Sequence, residues 1–396
     1  MNEYLSKKFR FISFISIIGV VLIHSYNYRF FIPKKIIIKL LTSVTVIPAK
    51  YGLEHTSIIA SKIGLFFQFS ISNGFARFAV PMFFLTSGYF FFRKFSKSYK
   101  LNNYITQIKK RIKSLVIPYI LWTIIAGIIV YVFSLTLLPS IGDVFIYFYN
   151  HIGKWIISSP AYQLWFIGDL MKLTIISPII YFLVKKFKKK FLFIIFIVWL
   201  LNITLTGPTI LKFVFNHLNI EVSSIIYSLL RLSIDGIFFF SLGTYLAIFN
   251  KEDLMLRKNK KVMWITLSLW VILTVIYSIL AISQTANALV LLFLYKTIQI
   301  LGILSIWTFY DYFITNWDKN KFIKLAVAST FLIYVSHVPL LGILKRLYFK
   351  ILGHGSLTHL TAYIILPILM ILMGMVLHIV LKKYSKTTYN ILTGNR

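Results

Sequence analysis

Ile17-Ile18-Gly19-Val20-Val21-Leu22-Ile23-His24-Ser25 is the stretch whose reading decides the fold. It closes an apolar run over about 11–30, long enough to cross a bilayer core at about 20 residues per span. His24 puts a titratable imidazole into that run, which is costly in hydrocarbon and calls for a reason. One reason is structural: a neutral histidine can hydrogen-bond two helices together. The other is chemical. The run has no small-x-small cleavage site and is followed by many more apolar runs, so it reads as a retained helix, not a signal peptide.

Further apolar runs of span length follow at about 64–92, 115–138, 162–184, 191–207, 223–249, 262–282, 288–310, 325–349 and 360–381. The chain is 58% hydrophobic and only 13% charged, against about 25% charged in ordinary soluble domains. The fold class is therefore all-α: a polytopic membrane bundle of about ten helices, forming one membrane-embedded domain over residues 1–396. The longest gap, about 31–63, holds Pro33, Pro48 and the short run Ile36-Ile37-Ile38-Lys39-Leu40-Leu41, which reads as an amphipathic piece on the membrane surface. No internal repeat or heptad seam is present.

Lysine and arginine number 43 against 10 acidic residues, a formal charge of +33. Because the basic residues lie mainly between apolar runs, they indicate topology and anionic lipid, with no nucleic-acid partner. They concentrate on alternate connections: Lys7, Lys8 and Arg10; Arg93 to Lys113; Lys185-Lys186-Phe187-Lys188-Lys189-Lys190; Lys251 to Lys261; Lys319 to Lys324; and Lys382, Lys383 and Lys386. The positive-inside rule then places both termini in the cytoplasm, in what composition suggests is a bacterial cytoplasmic membrane. The chain has no cysteine, which excludes disulfides, thiolate metal sites and cysteine nucleophiles.

Titratable groups inside spans are the functional candidates. They are His24, Arg77, Asp169, Lys172, Arg231, Asp235, Lys296 and His337, with His378 near a span end. Counted from the span ends, His24, Arg77, Asp235 and His337 share a mid-membrane depth that would suit one polar cavity. Arg231 and Asp235, and Asp169 and Lys172, can also neutralise each other along one helix face. Lys296 can snorkel, and His378 reads as interfacial.

A histidine can take the proton of a hydroxyl at neutral pH. An arginine can bind coenzyme phosphates or a developing oxyanion, and a carboxylate such as Asp235 can fix an imidazole tautomer. The run Lys109-Lys110-Arg111-Ile112-Lys113 would concentrate a polyanionic coenzyme, or serve only topology and anionic lipid. No nucleophile elbow, phosphate loop or metal-ligand spacing occurs. The chemistry that fits is direct base-assisted acyl transfer. It needs no tightly bound cofactor and no metal, and an acyl thioester is a good donor for it.

Several segments together resemble the membrane-bound acyltransferase family three, a group of bacterial membrane proteins similar to sugar O-acetyltransferases. They are Gly19 to Ser25; Arg77-Phe78-Ala79-Val80-Pro81-Met82-Phe83-Phe84-Leu85-Thr86-Ser87-Gly88-Tyr89; Arg111 through Pro118-Tyr119-Ile120-Leu121-Trp122; Leu164-Trp165-Phe166-Ile167; Phe240-Ser241-Leu242-Gly243; and Ser329-Thr330-Phe331-Leu332-Ile333-Tyr334-Val335-Ser336-His337. The resemblance spans nearly the whole chain. It implies transfer from acyl-CoA, acetyl-CoA above all, to a hydroxyl of a cell-surface polysaccharide or its lipid-linked precursor. Membrane lipid and other envelope glycan enzymes would be its surroundings. It gives His24 the role of base, makes Arg77 a site residue and draws His337 into the site. Ser13 stands where many members carry an arginine, and Arg10, one turn earlier, is the candidate substitute for coenzyme binding. The competing reading is a transporter or flippase of a polysaccharide or lipid-linked sugar, for which mid-membrane charges would serve equally. The absence of repeats and of paired broken helices argues against it.

Overall fold

The run that carries His24 forms a single helix, α1 (Glu3–Ser25), in a computed structural model that describes residues 3–27, 58–95, 101–134, 159–202, 232–251, 255–256 and 258–395. Arg231, Pro33, Pro48 and the stretch 36–41 lie outside the described residues. Every described element is helical, which bears out the all-α fold class. Seven described helices are long and apolar enough to cross a membrane, or eight with one bent pair. The count of ten and the side of each terminus stay expectations from the sequence.

The chain divides into two compact units, Met1–Phe83 with Glu252–Val380, and Phe84–Lys251 with Leu381–Arg396. In the first, α1 is followed by α2 (Ile58–Phe69), a π-turn (Ser70–Gly74), a 3-10 turn (Phe75–Phe78) and the start of α3 (Ala79–Phe92). Later come α9 (Lys260–Ser283), α10 (Ala288–Phe313), α11 (Lys321–Ala328), α12 (Thr330–Leu352) and α13 (Ser356–Tyr384). Asn259 and Asn287 start α9 and α10, each accepting a hydrogen bond from a backbone N–H three residues on. One face of α1, carrying Leu5, Phe9, Ile12, Ile17 and Val21, is buried in this unit.

The sequence predicts one unbroken span over 64–92. The structure keeps Lys62–Phe92 as one candidate span but gives it π and 3-10 geometry over Ser70–Phe78. Ser70-Ile71-Ser72-Asn73-Gly74 is polar enough for its side chains to bond elsewhere instead of decorating a regular helix. Gly74 leaves helical geometry at φ −114, ψ −87. Such turns within helices recur at functional sites, and this one carries Arg77.

The second unit contains the rest of α3, α4 (Leu101–Arg111), α5 (Ile117–Ser134), α6 (Trp165–Ile175), α7 (Ser177–Leu200), α8 (Ile234–Ile248) and α14 (Lys386–Thr393). The predicted span 162–184 is bent by 63° between Tyr162–Ile175 and Ser177–Leu200. Pro178 lies at the start of α7, where a missing N–H is tolerated at a helix beginning and not inside one. Within the basic run 185–190, Lys188 at φ 50, ψ −124 leaves helical geometry and marks a kink between two helical stretches of α7. α3 and α8 cross so closely that a Cβ on Gly88 would lie 2.1 Å from the Phe240 carbonyl oxygen. One on Gly243 would lie 2.0 Å from that of Leu85. Only glycine permits that approach from both sides.

Candidate active site

α1 ends inside the first unit, and the last carbonyls of a helix have no partners within it. In an apolar setting each unsatisfied carbonyl costs several kcal/mol, so partners must come from elsewhere. Ser72 Oγ, from the π-turn, donates to the Leu22 carbonyl at 2.8 Å. With its proton so used, that hydroxyl accepts from Tyr363 OH on α13, also at 2.8 Å. Lys345 Nζ, from α12, donates to the carbonyls of His24 at 3.0 Å and Tyr26 at 3.2 Å. Just beyond, Asn27 Nδ2 and Gln68 Nε2 both donate to the His359 carbonyl, at 3.1 and 3.0 Å. The end of α1 is thus surrounded by a hydrogen-bonded collar.

Inside this collar His24 lies beside His337 of α12, with 5.2 Å between ring centroids. His337 is completely buried. Its Nδ1 lies 2.6 Å from the Tyr334 carbonyl oxygen. A carbonyl can only accept, so Nδ1 carries the proton and Nε2 keeps its lone pair. That Nε2 is buried and has no hydrogen-bond partner among the described residues. The sequence reading placed both histidines at one depth, and the structure brings their rings together.

Arg77 comes to the same neighbourhood from the 3-10 turn. Its guanidinium donates through Nη2 to Asn73 Oδ1, while its Nε is buried without a partner. Its charge acts on His24 and on the buried Tyr277 of α9. The π and 3-10 turns within the second span therefore serve two ends: Asn73 steers Arg77, and Ser72 ties off α1. A buried, unpaired donor and a buried, unpaired acceptor around paired imidazoles suit a reaction in which a proton moves and negative charge develops on oxygen.

Other candidates fall elsewhere. Asp235 belongs to the second unit, in the first turn of α8, capped by Ser233 Oγ accepting from Gly236 N at 3.0 Å. The run 223–249, from which a mid-membrane depth is inferred, is described only from residue 232, so that depth stays an expectation from the sequence. Asp235 Oδ1 accepts from Trp199 Nε1 at 2.6 Å. Asp169 pairs with Lys172 at 3.3 Å, as the three-residue spacing suggests, and also accepts from Ser233 N at 2.9 Å. Lys109 and Lys110 are exposed on α4 in the second unit, while Arg111 is half-buried with its guanidinium 5.5 Å from the Phe91 ring. Arg10 is exposed on α1. Lys296, expected to snorkel, is buried at 2% exposure, and His378, expected at the interface, is buried at 4%.

Sequence reasoning missed two cations. Lys345 reads as an ordinary basic residue near the end of a span. Only its spacing from His337, two four-residue steps along one helix line, could have linked it to the site. Lys8 reads as topogenic charge, yet its side chain is fully buried and bonds Asp311 Oδ1 at 2.6 Å.

A multi-pass helical bundle that pairs a half-buried and a fully buried histidine beside a guanidinium on an irregular turn has the makings of a membrane-embedded transferase. Residues 10–382 match the acyltransferase domain of acyltransferase family 3, and the chain belongs to that family. No curated protein and no solved structure matches it.

Proposed function

We propose that this multi-pass membrane acyltransferase moves an acyl group, acetyl being the expected one, from acyl-CoA to a hydroxyl of a cell-surface polysaccharide or its lipid-linked precursor. The observation that carries the reading is the His24–His337 ring pair with the bare Nε2 of His337 beside it. His24 takes the proton of the acceptor hydroxyl as its oxygen attacks the thioester carbonyl. The tetrahedral oxyanion is held by a donor such as Arg77. The C–S bond then breaks, the ester C–O bond remains, and the proton passes to the coenzyme thiolate. Lys109, Lys110 and Arg111, with Arg10, would draw the coenzyme phosphates from the cytoplasmic face of a bacterial membrane. Family membership favours transfer over the alternative of glycan transport.

The test incubates membranes carrying the protein with acetyl-labelled acetyl-CoA and the glycan fraction of the host. Label should pass to the glycan and fall by about 10²–10⁴-fold in His24→Ala at equal protein level, the range lost with a general base. Undiminished transfer by that variant removes His24 from the role.

A further inference from the structure

We infer that Lys345 is a positioning residue for His24, an inference that rests on the base role proposed above. His337, Leu341 and Lys345 follow one another at four-residue steps on α12, along one line of that helix. α12 therefore meets α1 at two levels about 12 Å apart along its axis. At the lower level the His337 ring lies against the His24 ring. At the upper level the Lys345 ammonium spans the His24 and Tyr26 carbonyls at 3.0 and 3.2 Å.

These bonds reach the backbone of the base itself. α1 ends at Ser25, so the His24 carbonyl is one that the helix ladder leaves open. Without Lys345 the last turn of α1 would have to find other donors or unwind, and either would turn the His24 Cα–Cβ bond. His24 stands in the last turn of α1, so its side-chain direction follows the path of that turn, whereas His337 lies within α12 with its ring Nδ1 on the Tyr334 carbonyl. A cation suits the place because it stands at a helix C-terminus, where carbonyl dipoles gather negative charge. It forms no ion pair among the described residues, so the carbonyls are its partners. Its charge also acts on His24 and on His359 of the collar. A misplacement of about 1 Å in a reacting group costs about 10²-fold in rate, so the hold matters to turnover and not to coenzyme affinity.

The test compares Lys345→Met, Lys345→Arg and His24→Asn in purified, monodisperse protein, using labelled acetyl-CoA and the host glycan fraction. Lys345→Met should lower kcat about 10²-fold with the KM for acetyl-CoA near that of the parent. Lys345→Arg, which can still bridge two carbonyls, should stay within about tenfold of it. Lys345→Gln, which keeps one donor group, replaces the methionine variant if that one does not accumulate. A parental kcat in Lys345→Met beside an inactive His24→Asn overturns the inference and leaves the base role standing. The second readout needs no substrate. Imidazole ¹⁵N resonances of histidine-labelled protein are assigned by their loss in His24→Asn. The His24 signals should move in Lys345→Met while those of His378 stay. If His24→Asn retains transfer, the base role fails, and unmoved His24 resonances in Lys345→Met overturn the positioning role as well.

Discussion

The two ends of α1 both carry buried cationic or titratable groups, and they treat them in opposite ways. Near its start, Lys8 is neutralised: Asp311 Oδ1 takes a hydrogen bond from Lys8 Nζ at 2.6 Å and another from Tyr4 OH at 2.6 Å. The Trp307 ring lies 4.1 Å from the ammonium. Near its end stand His24, His337, Arg77 and Lys345, and the last two of these form no ion pair among the described residues. There a donor and an acceptor, Arg77 Nε and His337 Nε2, are buried without partners among the described residues. At the start the one such atom of the Lys8–Asp311 pair is Asp311 Oδ2, on a carboxylate whose other oxygen accepts both hydrogen bonds. One helix thus shows what a buried charge looks like when it holds a fold together, and what buried polar groups look like when they are kept for a ligand. The lesson is to ask how a buried group is partnered before assigning it a task.

The sharpest way to break that contrast is to alter His337. His337→Phe keeps a ring in the space and removes the bare Nε2. It should lower acyl transfer by about 10²-fold or more, in the range for groups that handle protons, while thermal unfolding in detergent stays close to the parent. A variant that transfers at the parental rate would place His337 with Lys8, among the structural groups.

The opposite end should answer in the opposite currency. Asp311→Leu strands the Lys8 ammonium in a buried site. Removing one member of a buried ion pair typically costs about 3–5 kcal/mol, since the remaining charge loses its compensation. Unfolding followed by intrinsic fluorescence in detergent should show that loss. The double variant Lys8→Met, Asp311→Leu should recover most of it, because a well-packed apolar pair can replace a buried ion pair at little cost. Lost activity with unchanged stability in Asp311→Leu would show that the division between the two ends is false.

The two ends were also unequally legible. His24, Arg77 and His337 stand out in sequence because each interrupts an apolar run. Their assembly follows from the packing of α1 on α12 and on the Ser70–Phe78 segment, which no pattern within a single run encodes. Lys8 and Lys345 were hidden by position, since a lysine near a span end has a ready explanation in topology or snorkelling. The irregular turns inside the second span were hidden by composition: Ser70 to Gly74 sits between strongly apolar neighbours, and a hydropathy window averages over it. The start of α8 was hidden for a related reason. It depends on the Ser233 cap, and a serine in an apolar run gives no sign of ending one.

A smaller test lies one residue from Lys8. Lys7 makes the solvent-facing counterpart of the buried pair, 2.7 Å from Asp318 and 3.2 Å from Glu3. The hydrogen bond from Lys7 holds the Asp318 carboxyl below the usual carboxylate range. A depressed folded value means that the pair stabilises the fold above the unfolded carboxyl's range, about pH 4, and that this contribution fades as pH falls through the folded value. Water and salt screen such a pair, so Asp318→Asn should shift the melting temperature at pH 7 by less than about 2 °C. The difference from the parent should shrink further in acid and in high salt. A shift as large as that of Asp311→Leu would mean that burial does not separate the two neighbouring lysines, and that the contrast along α1 must be drawn on other grounds.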